Sequence, residues 1–221
     1  ISIYDASIGL DDRAAPKELA EVEDYLSSSP YVDRTLPSRQ SLVEASGGGR
    51  AYDAYLMTVS GLEEFEQFID LRHRKDAEPV ALPEDGVIIT EKLSELLELS
   101  VGDTITLDGD KRVDATVADI VENYVYHYVY LSNSYYEKLF GEAPENNVLL
   151  LAYADGTDTA QSDHVSAELM AMDAVISYSY FATIRDSFTN SMEAIDYAVV
   201  IIITAAAALA FVVLYNLTNI N

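Results

Sequence analysis

The sequence predicts an α+β domain that is followed by a long helix at the C-terminal end. Runs with helical periodicity and short β-rich runs both occur before residue 182, and they do not alternate strictly as strand, helix, strand. The composition also changes abruptly near residue 195. Only one acidic residue, Asp196, follows that point, so almost all of the formal net charge of −25 belongs to the preceding domain.

The charge excludes some partners. A nucleic acid is bound through basic residues that displace its counterions, and this chain has 13 basic residues against 38 acidic ones. We therefore expect no nucleic-acid partner, and no docking of the domain on anionic lipid headgroups. The chain has no cysteine, which excludes disulfides and thiolate metal sites.

The first third of the chain is predicted to contain two helices and one clear strand. Leu19, Val22 and Leu26 share one face of the first helix, as helical spacing requires. The predicted elements are a helix over Pro16–Leu26, an extended or irregular segment over Pro30–Leu42, a flexible turn over Ala45–Arg50, a strand over Ala54–Val59 and a helix over Leu62–Arg74. A polar connector, Lys75–Pro83, closes this part.

The middle of the chain is predicted to be rich in strands. Thr90 is placed to cap a helix, and Asp108–Asp110 has the composition of a hairpin turn. The predicted elements are a strand over Gly86–Ile89, a helix over Glu91–Leu99, strands over Thr104–Leu107, Arg112–Val121 and Tyr124–Leu131, and a helix over Ser134–Phe140.

In the last part of the domain that precedes residue 182, the sequence predicts a strand over Val148–Tyr153, a helix over Ala160–Met172 and a strand over Ala174–Tyr180. We expect two lobes. One is a split α/β lobe formed by residues 1–82 and 142–182, and the other is a β-rich lobe, residues 83–141, inserted into it. The connector before residue 83 and the polar stretch Gly141–Asn147 mark the two boundaries.

A membrane-spanning helix is predicted over residues 197–215. These 19 residues carry no charge, and a helix of this length spans roughly 29 Å, close to the thickness of a bilayer's hydrocarbon core. Tyr197 and Tyr215 stand at its two ends, where tyrosine favours the membrane interface. The alternative is a buried helix of a soluble protein, although such a helix usually has a polar stripe.

The predicted span has a stalk before it and a short segment after it. No proline or glycine interrupts residues 182–215, so we expect a stalk helix over 183–196 that continues into the span, and residues 216–221 as the start of a cytoplasmic segment. Because the chain begins at Ile1 without a methionine, we expect it to be a piece of a longer membrane protein.

No motif in the sequence predicts catalysis, a cofactor or a metal ion. Asp155–Thr157 follows an apolar strand, but the position of a nucleophilic aspartate two residues earlier is occupied by Tyr153, which favours a polar turn. Asp108–Asp110 lacks the other ligands of a calcium loop, and Gly47–Gly49 lacks the lysine of a phosphate-binding loop. The histidines His73, His127 and His164 are scattered without partners at ligand spacing. We therefore predict that the domain is not an enzyme and has no cofactor.

Four tyrosines alternate with other residues in the run 124–130. If this run is a regular strand, Tyr124, Tyr126, Tyr128 and Tyr130 share one face. Their rings then either fill a core or form an exposed aromatic surface for a partner. We expect Tyr126 and Tyr128 to be buried, and Tyr124 or Tyr130 to lie near the surface.

Two stretches resemble the FtsX-like permeases of ABC transporters, the group that includes the MacB-type exporters. The stretches are Gly86–Leu93 with Leu99–Ile105, and the tail Leu214–Asn221. The runs Ile120–Tyr124, His127–Ser132 and Tyr135–Phe140 fit the extracellular domains of the same family. The resemblance covers residues 83–141 and 195–221 well, and the remainder only by its organisation.

The resemblance implies a bacterial cell-membrane protein with residues 1–190 outside the cell or in the periplasm. It implies a separate ATPase subunit, a second permease subunit or half, membrane lipid, and an extracellular partner or substrate. It also implies that ATP hydrolysis inside the cell drives movement of this domain outside, for export or efflux. Two other functions stay open: an FtsX-like regulator that transmits force to an extracellular cell-wall hydrolase, and a single-span membrane-anchored binding domain.

Overall fold

The computed structural model describes residues 3–59, 62–123, 125–181, 199–212 and 214–215. Helices and strands are interspersed, which confirms the α+β class. In chain order the elements are β1 (Ala6–Leu10), α1 (Pro16–Ser28), β2 (Val32–Gly47), β3 (Arg50–Val59), α2 (Leu62–Phe65), β4 (Val87–Thr90), α3 (Glu91–Leu97), β5 (Thr104–Asp108), β6 (Arg112–Val121), β7 (Tyr128–Ser132), α4 (Asn133–Phe140), β8 (Val148–Tyr153), α5 (Thr159–Met170) and β9 (Val175–Tyr180).

The strands in the described residues form one sheet with the order β3-β7-β4-β6-β5-β2-β8-β1-β9. Because β3 also pairs with β2, the six strands from β3 to β2 in this order close into a cycle of hydrogen-bonded neighbours. β8, β1 and β9 extend the sheet outside this cycle. Two pairs of neighbouring strands in the cycle are parallel, namely β3 with β7 and β4 with β6. The other pairs in the cycle are antiparallel.

β2 connects the two parts of the sheet because it is 16 residues long. Its first part, Val32–Ser38, pairs with β8, while Glu44–Ser46 pairs with β5. Along Ser38–Gly47 its other edge pairs with β3 through a tight hairpin. A single strand therefore belongs both to the cycle and to its extension.

Two clusters of buried residues lie on opposite faces of the cycle strands. The first cluster takes side chains from all six cycle strands and from α3 and α4. The second takes Met57, Ile88 and Tyr130 from the other faces of β3, β4 and β7. Period-two alternation accounts for this, because neighbouring residues of one strand point to opposite faces.

A further group of buried side chains lies in the extension of the sheet and in the two helices α1 and α5. Ala6 and Ile8 of β1 are fully buried, as are Val22 of α1 and Val165 and Leu169 of α5. The predicted split lobe, residues 1–82 and 142–182, therefore has a set of buried apolar side chains of its own.

Most of the predicted elements are confirmed, but one predicted helix is wrong. The helix expected over Leu62–Arg74 ends at Phe65. Beyond it the chain is extended enough for Arg72 to form a bridge with Pro79, while Phe68 and Ile69 are buried in the second cluster. The apolar spacing that predicted a helix instead reflects side chains that enter this cluster from irregular backbone.

Three smaller differences concern strands and a cap. β1 was not predicted. Pro30–Leu42, expected to be extended or irregular, is extended from Val32 onward as part of β2, and this strand continues to Gly47, so the turn expected over Ala45–Arg50 is shorter. Thr90 does stand at the N-cap position of α3, but its hydroxyl accepts a hydrogen bond from the backbone N–H of Tyr128 at 3.3 Å and makes no capping bond.

The chain divides into two compact units, Ile1–Ser179 and Tyr180–Asn221. In the second unit, residues 199–212 and 214–215 are helical. The predicted stalk, 183–196, and the segment 216–221 lie outside the described residues, as does Tyr197 at the start of the predicted span. Among the residues that are described, none of the helices has both the length and the apolar character needed to cross a membrane.

Candidate functional site

The tyrosine run does not form one regular strand. β7 begins only at Tyr128, and Tyr126 has a φ of +61°, a left-handed conformation that is rare for an aromatic residue. Tyr126 is 60% exposed, Tyr128 is half-buried and Tyr130 is 5% exposed. The expectation that Tyr126 is buried is therefore wrong. Of the two residues of which one was expected near the surface, Tyr130 is buried and Tyr124 lies outside the described residues.

The rings of the run instead stack into a column that begins at the surface and ends in the second cluster. Tyr55 of β3 is the residue that sequence reasoning missed, because its place beside the run depends on the parallel register of β3 and β7. Ring centroids are 5.6 Å apart for Tyr126 and Tyr55, 5.5 Å for Tyr55 and Tyr128, 5.4 Å for Tyr128 and Tyr130, and 6.0 Å for Tyr130 and Phe65. These distances are those of favourable aromatic pairs.

Burial raises the pKa of both inner tyrosines. For Tyr128 and Tyr130 the desolvation of the phenolate is the main cause, and the neighbouring tyrosine hydroxyls add to it. Ionising either side chain therefore requires a more alkaline pH than ionising an exposed tyrosine does. At its exposed end the column presents the ring and the hydroxyl group of Tyr126.

A cleft of 540 Å³ lies beside the start of α4. Its lining includes Ser132, Ser134, Asp85 and Lys138. Ser132 Oγ accepts a hydrogen bond from the backbone N–H of Tyr135 and lies 3.0 Å from Ser134 Oγ, while Lys138 is paired with Asp85 at 2.7 Å. No histidine is among the described residues that line this cleft, and its serine hydroxyls and Lys138 are engaged in these hydrogen bonds and this ion pair.

One group of side chains could hold a metal ion, although the sequence predicted none. His73, Asp76 and Glu78 each offer a ligand atom, and these atoms lie within 4.8 Å of one another. They are brought together by a tight reversal in which the backbone N–H of His73 donates to the Glu78 carbonyl at 2.9 Å. The spacing of three and five residues was a signal in the sequence, whereas the partner of the imidazole, Asp119, comes from β6.

Asp119 fixes the imidazole of His73. His73 Nε2 lies 2.9 Å from Asp119 Oδ1, and this hydrogen bond raises the pKa of His73 above its usual value of 6.5. A carboxylate that holds one ring nitrogen is also the usual support of a metal-bound histidine. All three potential ligands are nevertheless at least partly exposed, and hydrogen bonds within the reversal already hold Asp76 and Glu78 near His73.

The remaining motifs are turns, as the sequence predicted. Gly156 has a φ of +84°, and the backbone N–H of Thr157 donates to the Ala154 carbonyl at 3.1 Å, so Asp155–Thr157 is a polar turn. Asp108 pairs with Arg112 across the predicted hairpin. Of the two predicted membrane-interface residues, Tyr215 is an exposed helical residue whose ring stacks on Phe211, and Tyr197 lies outside the described residues.

Comparison with solved structures supplies the decisive observation about the fold. The periplasmic region of MacB from Actinobacillus actinomycetemcomitans matches with a TM-score of 0.51, over 86% of this chain and 94% of that one, at 14% sequence identity. This chain has the MacB periplasmic fold. The extracellular domain of the ABC-type transporter YknZ from Gram-positive bacteria also matches, with a TM-score of 0.45 at 14% identity, over 79% of this chain and 99% of that one.

The MacB-like fold was expected from the resemblance of the middle and the tail of the sequence, and that expectation is confirmed. No family model matches the chain, and no curated protein matches it. The likeness therefore concerns the arrangement of the backbone, at an identity too low to carry over the roles of individual residues.

Proposed function

We propose that this chain is the extracellular domain of an ABC-transporter permease of the FtsX and MacB type. The observation that carries the proposal is the match to the MacB periplasmic region over nearly the whole of both chains. The domain itself performs no chemistry. It moves outside the membrane when a separate ATPase subunit hydrolyses ATP in the cytoplasm, and this movement serves export or efflux.

The proposal includes an arrangement across the membrane. Residues 1–190 lie outside the cytoplasm, 183–196 form the stalk, 197–215 cross the bilayer and 216–221 enter the cytoplasm. What supports this arrangement is the uncharged run of 19 residues next to a strongly acidic domain. A second permease subunit or half completes the transporter.

Single-cysteine labelling in intact cells tests the arrangement, because the chain has no cysteine of its own. A membrane-impermeant maleimide should label Val101→Cys, whose native side chain is 58% exposed, and should leave Asn219→Cys unlabelled until the cells are lysed. Ile88→Cys, at a fully buried position, is the control for folding and should resist labelling in both cases. Labelling of Asn219→Cys from outside would contradict the proposal.

Coupling to ATP requires a second experiment on the natural full-length protein together with its ATPase in liposomes. Spin labels on the domain should report a change of distance between ATP and ADP states, and an ATPase variant that cannot hydrolyse ATP should abolish the cycle. Distances that do not respond to nucleotide would favour the single-span binding domain instead.

A further inference from the structure

One face of β7, β3, β2 and β5 carries two rows of side chains that are exposed or half-buried, and at one end Tyr128 also packs against the second cluster. Paired residues of neighbouring strands point to the same side of a sheet, so the register defines each row. Tyr128, Tyr55 and Leu42 form the apolar row, since Tyr55 pairs with both of the others. Tyr126 adds its exposed ring to this row through its edge-to-face contact with Tyr55.

The second row is acidic. Glu44 of β2 pairs with Asp53 of β3 on one side and with Asp108 of β5 on the other, so three carboxylates stand in adjacent positions about 5 Å apart at their Cβ atoms. Asp108 has Arg112 at 3.4 Å. Among the described residues, neither Glu44 nor Asp53 has a basic side chain within 4.0 Å.

Such a row is unfavourable in the isolated domain. Like charges that are directly opposite on neighbouring strands destabilise a sheet, and here one carboxylate is flanked by two others. The row lies one pair of positions away from Leu42, which is 59% exposed, and from Tyr55, whose ring contacts the 60% exposed Tyr126. Apolar exposure and unbalanced negative charge thus occur on the same surface, which is typical of a site that is covered by a partner.

We infer that this face binds a basic segment of another protein, one that carries arginine or lysine beside an apolar side chain. The cationic groups neutralise Glu44 and Asp53, and the apolar side chain covers Leu42 and the exposed end of the tyrosine column. Arginine suits both rows, because its planar group pairs with carboxylates and stacks on aromatic rings. The inference rests on the sheet register together with the exposure and ion pairing of these side chains, and it does not depend on the proposed transporter function.

A metal ion and a membrane surface fit the same face less well. Within the described part of the chain, three metal-ligand atoms lie within 4.8 Å of one another only at His73, Asp76 and Glu78, and not along this row. An anionic lipid surface would be repelled by the row and by the net charge of −25. A cationic polypeptide is attracted by the same charges.

The test uses the full 221-residue chain in neutral detergent and a synthetic peptide that alternates leucine and arginine. A second peptide carries neutral citrulline in place of each arginine. The double variant Glu44→Gln, Asp53→Asn should weaken binding of the arginine peptide by about tenfold at about 0.1 M salt, where charges farther away than roughly 10 Å are screened. Leu42→Ser should weaken it by about threefold, through the loss of apolar contact.

The matched control is Glu23→Gln with Asp24→Asn, which removes the same charge from exposed positions of α1. This control should change the affinity by less than about twofold, because distant exposed charges are screened. The melting temperature of Glu44→Gln, Asp53→Asn should be unchanged or raised, which separates lost binding from lost folding. Equal binding of the citrulline peptide, an equal loss in the control, absence of binding to the arginine peptide, or preferential binding of anionic lipid vesicles would each overturn the inference.

Discussion

Tyr126 and Tyr130 are four residues apart in one aromatic run, yet their environments are opposite. Tyr130 is packed in the second cluster against Phe65, whereas Tyr126 is mostly exposed and contacts the ring of Tyr55. Tyr130→Ala should therefore lower the free energy of unfolding by about 3 kcal/mol, as the truncation of a core aromatic residue does. Tyr126→Ala is the matched variant and should change it by no more than about 0.5 kcal/mol. Urea unfolding measures both, and equal losses would contradict the burial described for this run.

His73 should make the stability of the domain depend on pH. Its pKa is raised in the folded state by the hydrogen bond with Asp119, so the stabilisation is complete below 6.5 and is lost as the pH rises through the raised value. Above that pH the imidazole is neutral in both states and the contribution disappears. The melting temperature of the native chain should therefore exceed that of His73→Gln more at mildly acidic pH than at alkaline pH.

His164→Gln provides the control for this experiment, because it removes an exposed histidine of α5 instead. At mildly acidic pH, His73→Gln should lower the melting temperature more than this control does, because only His73 Nε2 lies 2.9 Å from Asp119 Oδ1. A chelator in the buffer removes any contribution from metal ions at the same group. If the effect of His73→Gln were the same at all pH values, the ion pair with Asp119 would not contribute to stability.

At the scale of elements, the hairpin between β2 and β3 requires glycine at its turn. Gly48 and Gly49 have φ values of +56° and +77°, and only Gly48 is also crowded: a Cβ atom there would lie 2.3 Å from the Leu97 carbonyl oxygen. Gly49 has open space around it. Gly48→Ala should lower the free energy of unfolding by about 2 kcal/mol or more. Gly49→Ala should lower it by about 1 kcal/mol, because this variant adds only the strain of a left-handed backbone conformation.

Chemical denaturation of the two glycine variants measures how much each lowers the free energy of unfolding. The difference between them reports the contact of the turn with the end of α3, since the backbone conformation is similar at both positions. Equal losses would mean that the hairpin and α3 do not pack as closely as the structure shows.

At the scale of the whole molecule, the division into a split lobe and an inserted lobe stays a prediction. The group of buried residues in β1, β8, α1 and α5 supports a separate core for residues 1–82 and 142–182. Against this, β2 and β3 also supply Val43, Ala45, Ala54 and Leu56 to the first cluster, which otherwise consists of residues 87–140. The two lobes therefore share strands even if each has its own core.

Replacing residues 83–141 with a short glycine and serine linker tests the division. We expect cooperative unfolding with a lower midpoint, because the core of the outer lobe persists while the first-cluster faces of β2 and β3 become exposed. Calorimetry of the shortened and the complete chains measures both features. Loss of the cooperative transition would show that the shared strands β2 and β3 join the two predicted lobes into one core.

The sequence by itself determined the α+β class, most of the helices and strands, and the turns, because these depend on local periodicity and on glycine, proline and aspartate in short segments. It also allowed the MacB-like fold to be predicted from two stretches. Only the tertiary structure decided which strands become neighbours: the parallel register of β3 and β7 brings Tyr55 to the tyrosine run, and the pairing of β2 with β3 and β5 aligns Glu44 with Asp53 and Asp108. Residues so far apart in the chain carry no periodic signal that relates them. Tertiary packing likewise overrode helical spacing after Phe65, where burial of Phe68 and Ile69 in the second cluster favoured irregular backbone.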